Sequence, residues 1–444
     1  MIRKNLSIVF LVLIFIPLLS TKSLKAEEKK HWTDVVKIEA ELRTRSETNL
    51  NYNNIPGDSL ATASFAYPET TGNASFVLLR TRLGLNILPH EHVGLYVQLQ
   101  DSRTFGLVGL TENNSGGNGV SGSFGIHQAY LDLLDIGNSG ISLRVGRQEL
   151  KYGKERLVGA FGWHNVARSF DAVRLKFEWK ERLISDWFAS IVARGAGADN
   201  YFLGTYNTLK SLPTGDLDAY FLVDLDGDAV GGAKRRIYTG GLRSYGKFKL
   251  GLDYDVEAAV QFGDIGASDL LAGAGHASLG YTFDNAYKPR LELEYNFASG
   301  DGNAADGKAH TFYNLYPTNH DKYGVMDFFG WRNLHDISTN ISVAPIDKTK
   351  LSLAYHAFLL PKPVDGFYRA GMGFNTTGLR SGNAGASSFA GHEVDLLFTW
   401  KPIEYLDLLA GYSIFIPGQF FQDTTASTND MAHFFYLQLS GHYQ

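Results

Sequence analysis

Arginine residues recur at every second position in several short segments of the sequence, and this spacing suits the binding of anions. Arg43 and Arg45 are separated by one residue, as are Arg80 and Arg82. Because the side chains of a β-strand alternate between two faces, each pair would lie on one face of a strand. A guanidinium is planar, stays charged and pairs with a carboxylate through two hydrogen bonds. The candidates of this kind are Arg43, Arg45, Arg80, Arg82, Arg144 and Arg174.

A second candidate group lies in the segment 150–169, where basic and aromatic residues are mixed. It contains Arg156 and Arg168 together with Trp163. If the segment folded inward it would form a constriction, in which aromatic rings stack on sugar faces and arginines hold carboxylates. If it were held outward it would form only a surface loop. The residues by themselves leave both forms open.

The elements that must position these residues are β-strands. From Val36 to Arg45 the uncharged residues fall on one face of a strand and five charged residues on the other, a pattern that no helix could use. Marking every such run gives 18 candidate strands that average 11.3 residues, against the roughly 9 to 11 that a tilted strand needs to cross a bilayer. The candidates are 35–46, 75–87, 92–103, 124–134, 140–149, 170–180, 186–194, 200–209, 217–226, 236–245, 249–263, 275–284, 289–299, 332–344, 349–360, 391–400, 404–415 and 431–443.

The connections between these strands alternate in length. Eight of them total 35 residues, and the other nine total 170, with the longest at 47–74, 300–331 and 361–390. One alternating strand alone would also fit a water-soluble β protein, but short turns that alternate with long loops are typical of outer-membrane barrels. We therefore predict an all-β fold: a transmembrane antiparallel β-barrel of 18 strands, with short periplasmic turns, long extracellular loops and both termini on the periplasmic side.

Composition and the N-terminal segment agree with export from the cytoplasm. Residues 1–26 combine Arg3 and Lys4 with an apolar run and a small residue at Ala26, which predicts a secretory signal peptide. Residues 27–444 then form a single barrel domain. Removal of the four basic residues of the signal peptide takes the formal net charge from −5 to −9, which argues against a nucleic-acid partner. The chain has no Cys, which excludes disulfides and thiol chemistry.

Several motifs resemble the alginate export family of bacterial outer-membrane proteins. They are 146–175 (GRQELKYGKERLVGAFGWHNVARSFDAVRL), 298–301 (ASGD), 306–331 (DGKAHTFYNLYPTNHDKYGVMDFFGW) and 411–418. The resemblance covers nearly the whole mature chain. It implies an 18-stranded barrel in the outer membrane of a Gram-negative bacterium and, for the founding function, passage of an anionic uronate polysaccharide through a basic pore. It also favours the inward form of 150–169.

Charges on the inward positions of the predicted strands are split between two arcs. The basic positions are Lys37, Arg43, Arg45, Arg80, Arg82, Arg144, Arg174 and Lys176, against Glu39, Glu41, Asp132 and Glu178. The acidic positions are Asp253, Asp255, Glu257, Glu292, Glu294, Asp336, Glu393, Asp395 and Asp407, against Arg290 and Lys350. Such a distribution could create a transverse electric field that orients charged solutes in the lumen. Alternatively, the charges pair across neighbouring strands and only keep the interior hydrated.

No enzyme motif is present, and no cofactor or metal site is predicted. The sequence lacks Gly-x-Ser-x-Gly, a phosphate-binding Gly-rich loop followed by Lys-Ser/Thr, and His-Glu-x-x-His. The run 90–92 (His-Glu-His) lies in a predicted turn. The run Asp224 to Asp228 is interpreted as an acidic external loop with adventitious Ca²⁺ at most, because its glycine is misplaced for a calcium loop.

The leading hypothesis is an outer-membrane channel for anionic or polar saccharides. Its pathway residues would be Arg43, Arg45, Arg80, Arg82, Arg144, Arg156, Trp163, Arg168 and Arg174. Its partners would be outer-membrane lipid, the saccharide and periplasmic export components. The alternatives are a general diffusion porin, a structural or adhesive barrel whose loops do the work, and an outer-membrane hydrolase.

Overall fold

The computed structural model describes residues 35–52, 73–106, 123–192, 200–226, 234–370, 385–424 and 430–443. The predicted signal peptide 1–26 and most of the loop 47–74 lie outside these residues. The described chain is almost entirely β. Its strands are β1 (Val36–Leu50), β2 (Ala74–His90), β3 (Val93–Phe105), β4 (Ser123–Leu133), β5 (Ile141–Gln148), β6 (Phe170–Trp179), β7 (Leu183–Val192), β8 (Asn200–Leu212), β9 (Gly215–Asp226), β10 (Arg235–Lys247), β11 (Leu252–Ile265), β12 (Ser268–Thr282), β13 (Arg290–Ala298), β14 (Lys308–Ala309), β15 (Leu334–Val343), β16 (Thr349–Leu359), β17 (Phe389–Ile403), β18 (Leu406–Pro417) and β19 (Ala432–Tyr443).

Eighteen of the described strands form a closed antiparallel barrel. Each wall strand pairs with its neighbours in sequence, and β13 pairs directly with β15, because β14 lies beside the wall and pairs only with β12. The last strand closes on the first, from Ala40 opposite Tyr443 to Leu50 opposite His433. Closure leaves no unpaired strand edge, which is the condition for a sheet to cross lipid. The predicted fold class is confirmed.

Alternation sets which side chains face the lumen. Leu42 and Leu437 are each 55% exposed on the outer surface, whereas Arg43 and Arg45 on β1 are buried inside. The same two-residue period holds on β19, where Phe435 and Leu439 face outward and Tyr436 and Gln438 face inward. The outer surface of these two strands is therefore apolar, and their inner surface carries polar side chains, as the sequence predicted.

All 18 predicted strands match wall strands, but the predicted connection 264–274 is wrong. The structure replaces it with a two-residue turn at 266–267, because β11 extends to Ile265 and β12 begins at Ser268. The segment is rich in Gly and Ala, which favoured a loop interpretation. Its alternation is nevertheless intact: Leu270 and Ala272 are buried inside, while Leu271 is 60% exposed outside.

Two of the long connections fold into the barrel. We call them together the plug: residues 149–169 between β5 and β6, and residues 299–333 between β13 and β15. The second segment buries a set of aromatic side chains almost completely, namely Phe312, Tyr313, Tyr323, Phe328, Phe329 and Trp331. Phe329 stacks on Phe358 of β16 at 4.2 Å between ring centroids, and Phe328 lies 5.1 Å from Phe415 of β18. The hydrophobic core therefore lies inside the barrel, toward the end with the long connections.

The described helical elements are short. The one α-helix, α1 (Gln419–Thr424), follows β18 and buries Phe420 and Phe421 beside the plug. Within the described residues, no helix has the length and hydropathy of a membrane-spanning helix.

Candidate functional site: an arginine-lined plug in the lumen

The plug segment 149–169 is held against β1 and β2 by arginines that donate to its backbone. Arg43 Nη1 donates to the carbonyl oxygen of Gly162 at 2.8 Å, and Arg80 Nη1 donates to the same oxygen at 3.0 Å. Arg80 also donates from Nε to Glu41 Oε1 at 2.7 Å. These bonds are partly buried, and a charged donor makes a stronger hydrogen bond than a neutral one. These arginines therefore fix the segment inside the lumen, and the inward form of 150–169 is what the structure shows.

Trp163 is the aromatic centre of this contact. Its carbonyl oxygen accepts a hydrogen bond from Arg45 Nη1 at 2.8 Å, and its ring lies 3.6 Å from the guanidinium carbon of Arg45. The other side of the ring system stacks on His320 of the second plug segment at 3.7 Å between centroids. Arg45 is held in turn by Glu47 at 2.6 Å. Trp163 thus joins the barrel wall to both plug segments.

Arg156 reaches the acidic arc of the wall. Its guanidinium lies 3.6 Å from Glu257 of β11 and 3.6 Å from Glu294 of β13, and its Nη2 lies 2.9 Å from His276 Nε2 of β12. Burial alone would lower the pKa of Arg156, but Tyr323 and the two carboxylates raise it above its ordinary value. The plug is therefore bound from two sides, by basic wall residues at its backbone and by acidic wall residues at Arg156.

The remaining predicted arginines hydrogen-bond to other side chains of the wall, and Arg82 also lies near Glu149, the first residue of the plug. Arg82 donates to Gln100 at 2.7 Å and lies 3.7 Å from Glu149. Arg144 makes two hydrogen bonds to Asp132, at 2.7 and 2.8 Å. Arg174 likewise makes two to Asp186, at 3.0 and 2.8 Å. Charge pairing across neighbouring strands, one of the two interpretations left open, therefore occurs in this part of the wall.

The two plug segments also bind each other. A β-bridge joins Val158 to Tyr316, and the Thr318 amide donates to the Glu155 carbonyl at 2.9 Å. Arg168 Nη1 donates to the carbonyl oxygens of Gly159 and Pro317, at 3.1 and 3.0 Å. Since Arg168 bonds to both segments, it ties them into one unit.

A small cavity of about 50 Å³ lies in the plug. It is lined by Phe161, Arg168, Asn314, Leu315, Pro317, Asn319, Gly330, Arg332, Arg369 and Ala370. Three of these are arginines, and among the described lining residues none is acidic. Burial lowers the pKa of Arg168 to about 10, so it stays protonated at neutral pH. Arg332 packs against two rings, with its guanidinium carbon 4.5 Å from the Tyr313 centroid and 4.0 Å from that of Tyr368. Such a cavity suits one acidic group.

The sequence pattern predicted Arg156, Trp163 and Arg168 but missed Arg332 and Arg369. It indicated a Gly-rich and Asn-rich external loop at 300–331. The signal that could have corrected this is the density of aromatics in 312–331, seven in 20 residues. Large aromatic side chains stabilise a protein when they are buried, so a loop exposed to water would not be expected to carry so many of them.

The interpretation of the acidic run after residue 223 was also wrong. Asp224 and Asp226 are buried in β9 and face the lumen, so they do not form an external loop. Arg235 of β10 donates to Asp224 Oδ2 at 2.6 Å and to Asp226 Oδ2 at 2.8 Å. The pairing explains their burial. Asp228 lies outside the described residues.

Comparison with solved structures supports the fold over 92–95% of the chain. No curated protein matches the chain in sequence. Among solved structures, OccAB1 of Acinetobacter baumannii has a TM-score of 0.60 at 12% identity, over 95% of this chain and 99% of that one. The outer membrane protein opdK of Pseudomonas aeruginosa has a TM-score of 0.59 at 10% identity, over 92% and 98%. OccK11 (OpdR) of the same organism has a TM-score of 0.55 at 12% identity, over 92% and 95%. At such identities the likeness concerns the fold alone.

The sequence comparison is more specific. The family described as alginate export matches residues 60–435, which include every wall strand except β1 and the end of β19. The fold and the family are those of outer-membrane porins and export channels. Together they place this barrel in the outer membrane of a Gram-negative bacterium, with its short turns on the periplasmic side. The chain belongs to the alginate export family.

Proposed function

We propose that this outer-membrane channel passes acidic saccharides and that the plug cavity is where it recognises their acidic groups. The observation that carries the proposal is the convergence of Arg168, Arg332 and Arg369 on one cavity. An anion that leaves water needs donors in return, and guanidinium groups supply them in pairs.

The wall arginines would contribute at two different stages of passage. Arg43, Arg45 and Arg80 are bound to the plug backbone in this structure. They would face a solute only after the segment 149–169 withdraws. Arg82, Arg144 and Arg174 stand closer to the periplasmic mouth, where a saccharide delivered by periplasmic export components would meet them first.

Ion currents through the purified protein in planar bilayers test the proposal. A short uronate oligosaccharide should reduce the current at lower concentration than a neutral oligosaccharide of the same length. Replacement of Arg168 and Arg369 by Gln should remove most of this difference, since two of the three cavity charges are lost. Replacement of Lys350, an inward-facing residue near the periplasmic mouth, by Gln is the matched control for loss of lumen charge.

The alternatives give different results in the same experiment. A general diffusion porin would respond equally to both oligosaccharides in the wild type. A structural or adhesive barrel would carry no current at all. Either outcome contradicts the proposal. A hydrolase would shorten the oligosaccharide during the recording, which chromatography of the chamber solution would detect.

A further inference from the structure

Buried oxygen atoms without hydrogen-bond donors gather where β17 and β18 meet the plug. Glu393 and Asp395 are two residues apart on β17 and face the lumen, and Ser413 of β18 is paired with Asp395 in register. All three are buried, with at most 1% of each residue exposed. Among the described residues, no donor reaches Glu393 Oε2, either carboxylate oxygen of Asp395 or Ser413 Oγ. Buried polar atoms in a folded protein nearly always have a partner, so this group needs an explanation.

Among the described side chains, no Lys or Arg forms a salt bridge with either carboxylate. Their negative charges repel each other, and Asp327 adds a further negative charge nearby. His356 places Nε2 3.8 Å from Asp395 Oδ2, but its Nδ1 is bound to Asp336 Oδ1 at 2.9 Å. Its charge is therefore shared with a third carboxylate, and the pair on β17 remains uncompensated. Burial of two adjacent carboxylates destabilises the folded protein unless a cation or a proton lies between them.

The plug covers this place closely. The Met326 amide donates to Glu393 Oε1 at 2.8 Å, which leaves Oε2 as the free oxygen. Gly324 has a φ of 84° and lies so close that a Cβ there would stand 2.5 Å from the Glu393 carboxyl group. Only glycine fits both the backbone conformation and the space. Glu393 thus forms a closely packed junction between the wall and the plug.

We propose that Glu393, Asp395 and Ser413 bind one Ca²⁺ ion that fastens the plug to β17 and β18. All the available atoms are oxygens, which are the ligands that hard divalent cations prefer. Two carboxylates match the charge of a divalent ion. No group of three or more His, Asp or Glu side chains converges on one point within the described residues, so backbone and water oxygens must complete the shell. Ca²⁺ accepts such irregular and bidentate coordination, whereas Mg²⁺ requires a near-octahedral one.

Calorimetric titration of the EDTA-treated full mature barrel in detergent, with CaCl₂ alone, tests the site. The wild type should bind one Ca²⁺ per chain, with weaker binding of MgCl₂. Asp395→Asn should weaken Ca²⁺ binding by about tenfold or more, because it removes one of two charged ligands. Asp407→Asn is the matched control, since Asp407 also faces the lumen but is bound to Lys401 at 3.1 Å and lies 3.6 Å from His442. The Asp407→Asn variant should bind Ca²⁺ with the same affinity as the wild type.

A second readout separates a metal from a shared proton. Ca²⁺ should raise the melting temperature of the wild type and of Asp407→Asn, but not that of Asp395→Asn. If Asp395→Asn does not fold, Ser413→Ala removes one neutral ligand and should show a smaller loss of affinity. Failure of the wild type to bind Ca²⁺ would overturn the proposal. So would a protonated-carboxyl infrared band that persists in saturating Ca²⁺ and disappears in Glu393→Gln, because a proton would then join the pair.

Discussion

Arg43, Arg45 and Arg80 face inward and hold the backbone of the plug, whereas Arg144 and Arg174, closer to the short turns, pair with aspartates on neighbouring strands. Arg43 is 4% exposed and donates to Gly162, which is 119 residues away in sequence. Arg144 keeps 28% of its side chain exposed and pairs with Asp132 on the adjacent strand. Inward-facing arginines of the barrel wall thus have two roles. Some bind the backbone of the plug, and others pair with carboxylates on adjacent strands.

The difference has an energetic consequence. A buried charge that loses its partner retains its full desolvation cost, while a half-exposed charge recovers hydration from water. Substitutions around the plug should therefore change the stability and closure of the channel. Substitutions near the short turns should change mainly the ions that pass. The following variants test that contrast, from the largest expected effect to the smallest.

Arg156→Ala should have the largest effect. It leaves Glu257 and Glu294 without their buried cation, and loss of one partner from a buried pair costs about 3 to 5 kcal/mol. The plug should detach from the acidic arc, and the open-channel current should rise. Unfolding in urea and single-channel recording measure the two effects. Arg290→Ala, in a half-exposed cluster with Asp253 and Glu292, is the control near the short turns. Equal losses of stability in both variants would contradict the contrast.

Trp163→Ala should have the next largest effect. The ring lies between Arg45 and His320, and its removal leaves a gap between the wall and the plug. Loss of this packing and of the cation–π contact should cost about 2 kcal/mol. The effect on current should resemble that of Arg156→Ala but be smaller. Trp163→Phe retains part of the stacking and should recover part of the stability. If both variants unfold like the wild type, the ring does not hold the plug.

Acidic pH should destabilise the plug through His164. Burial, followed by the positive charges of Arg45 and Arg168, lowers the pKa of this imidazole to about 3. The ordinary value is about 6.5, so between these two pH values the unfolded chain binds a proton that the folded chain does not. Stability is therefore full above pH about 6.5 and falls as the pH decreases, by about 1 kcal/mol down to pH about 5.5. His164→Gln should flatten this part of the urea stability profile. An unchanged profile in His164→Gln would show that the imidazole is protonated equally in both states.

The sequence could predict the barrel better than the plug, and the reason is the range of the contacts. Alternation is a local property of each strand, so it assigned Arg43 and Glu257 to the correct faces of β1 and β11. The partners of these residues come from a loop more than 90 residues away. No periodicity encodes such a contact, and the family resemblance was needed to favour the inward form of 150–169.

The second plug segment shows the limit of composition as a guide. Gly, Asn and Asp in 300–331 predicted an exposed loop, but the aromatics between them form the core of the plug. Arg332 and Arg369 were missed because they follow no strand alternation. They reach the cavity only through the fold of that segment and of 360–370. The orphan oxygens around Asp395 could not be foreseen either, because a missing hydrogen bond is visible only in three dimensions.

The smallest change in stability should follow Arg144→Gln near the short turns. Its two hydrogen bonds to Asp132 and its contact with the Tyr130 ring at 3.7 Å are partly hydrated, so their loss should cost less than about 1 kcal/mol. The reversal potential in a salt gradient should nevertheless shift toward cations, because the uncompensated Asp132 now faces the aqueous path. Asp132→Asn should shift it toward anions, and the double variant should return it close to the wild-type value. Since the pair is local, neither single variant should change how often the plug opens. If Arg144→Gln changed the frequency of channel opening as much as Arg156→Ala does, the Arg144–Asp132 pair would be coupled to the plug, and the contrast would be wrong.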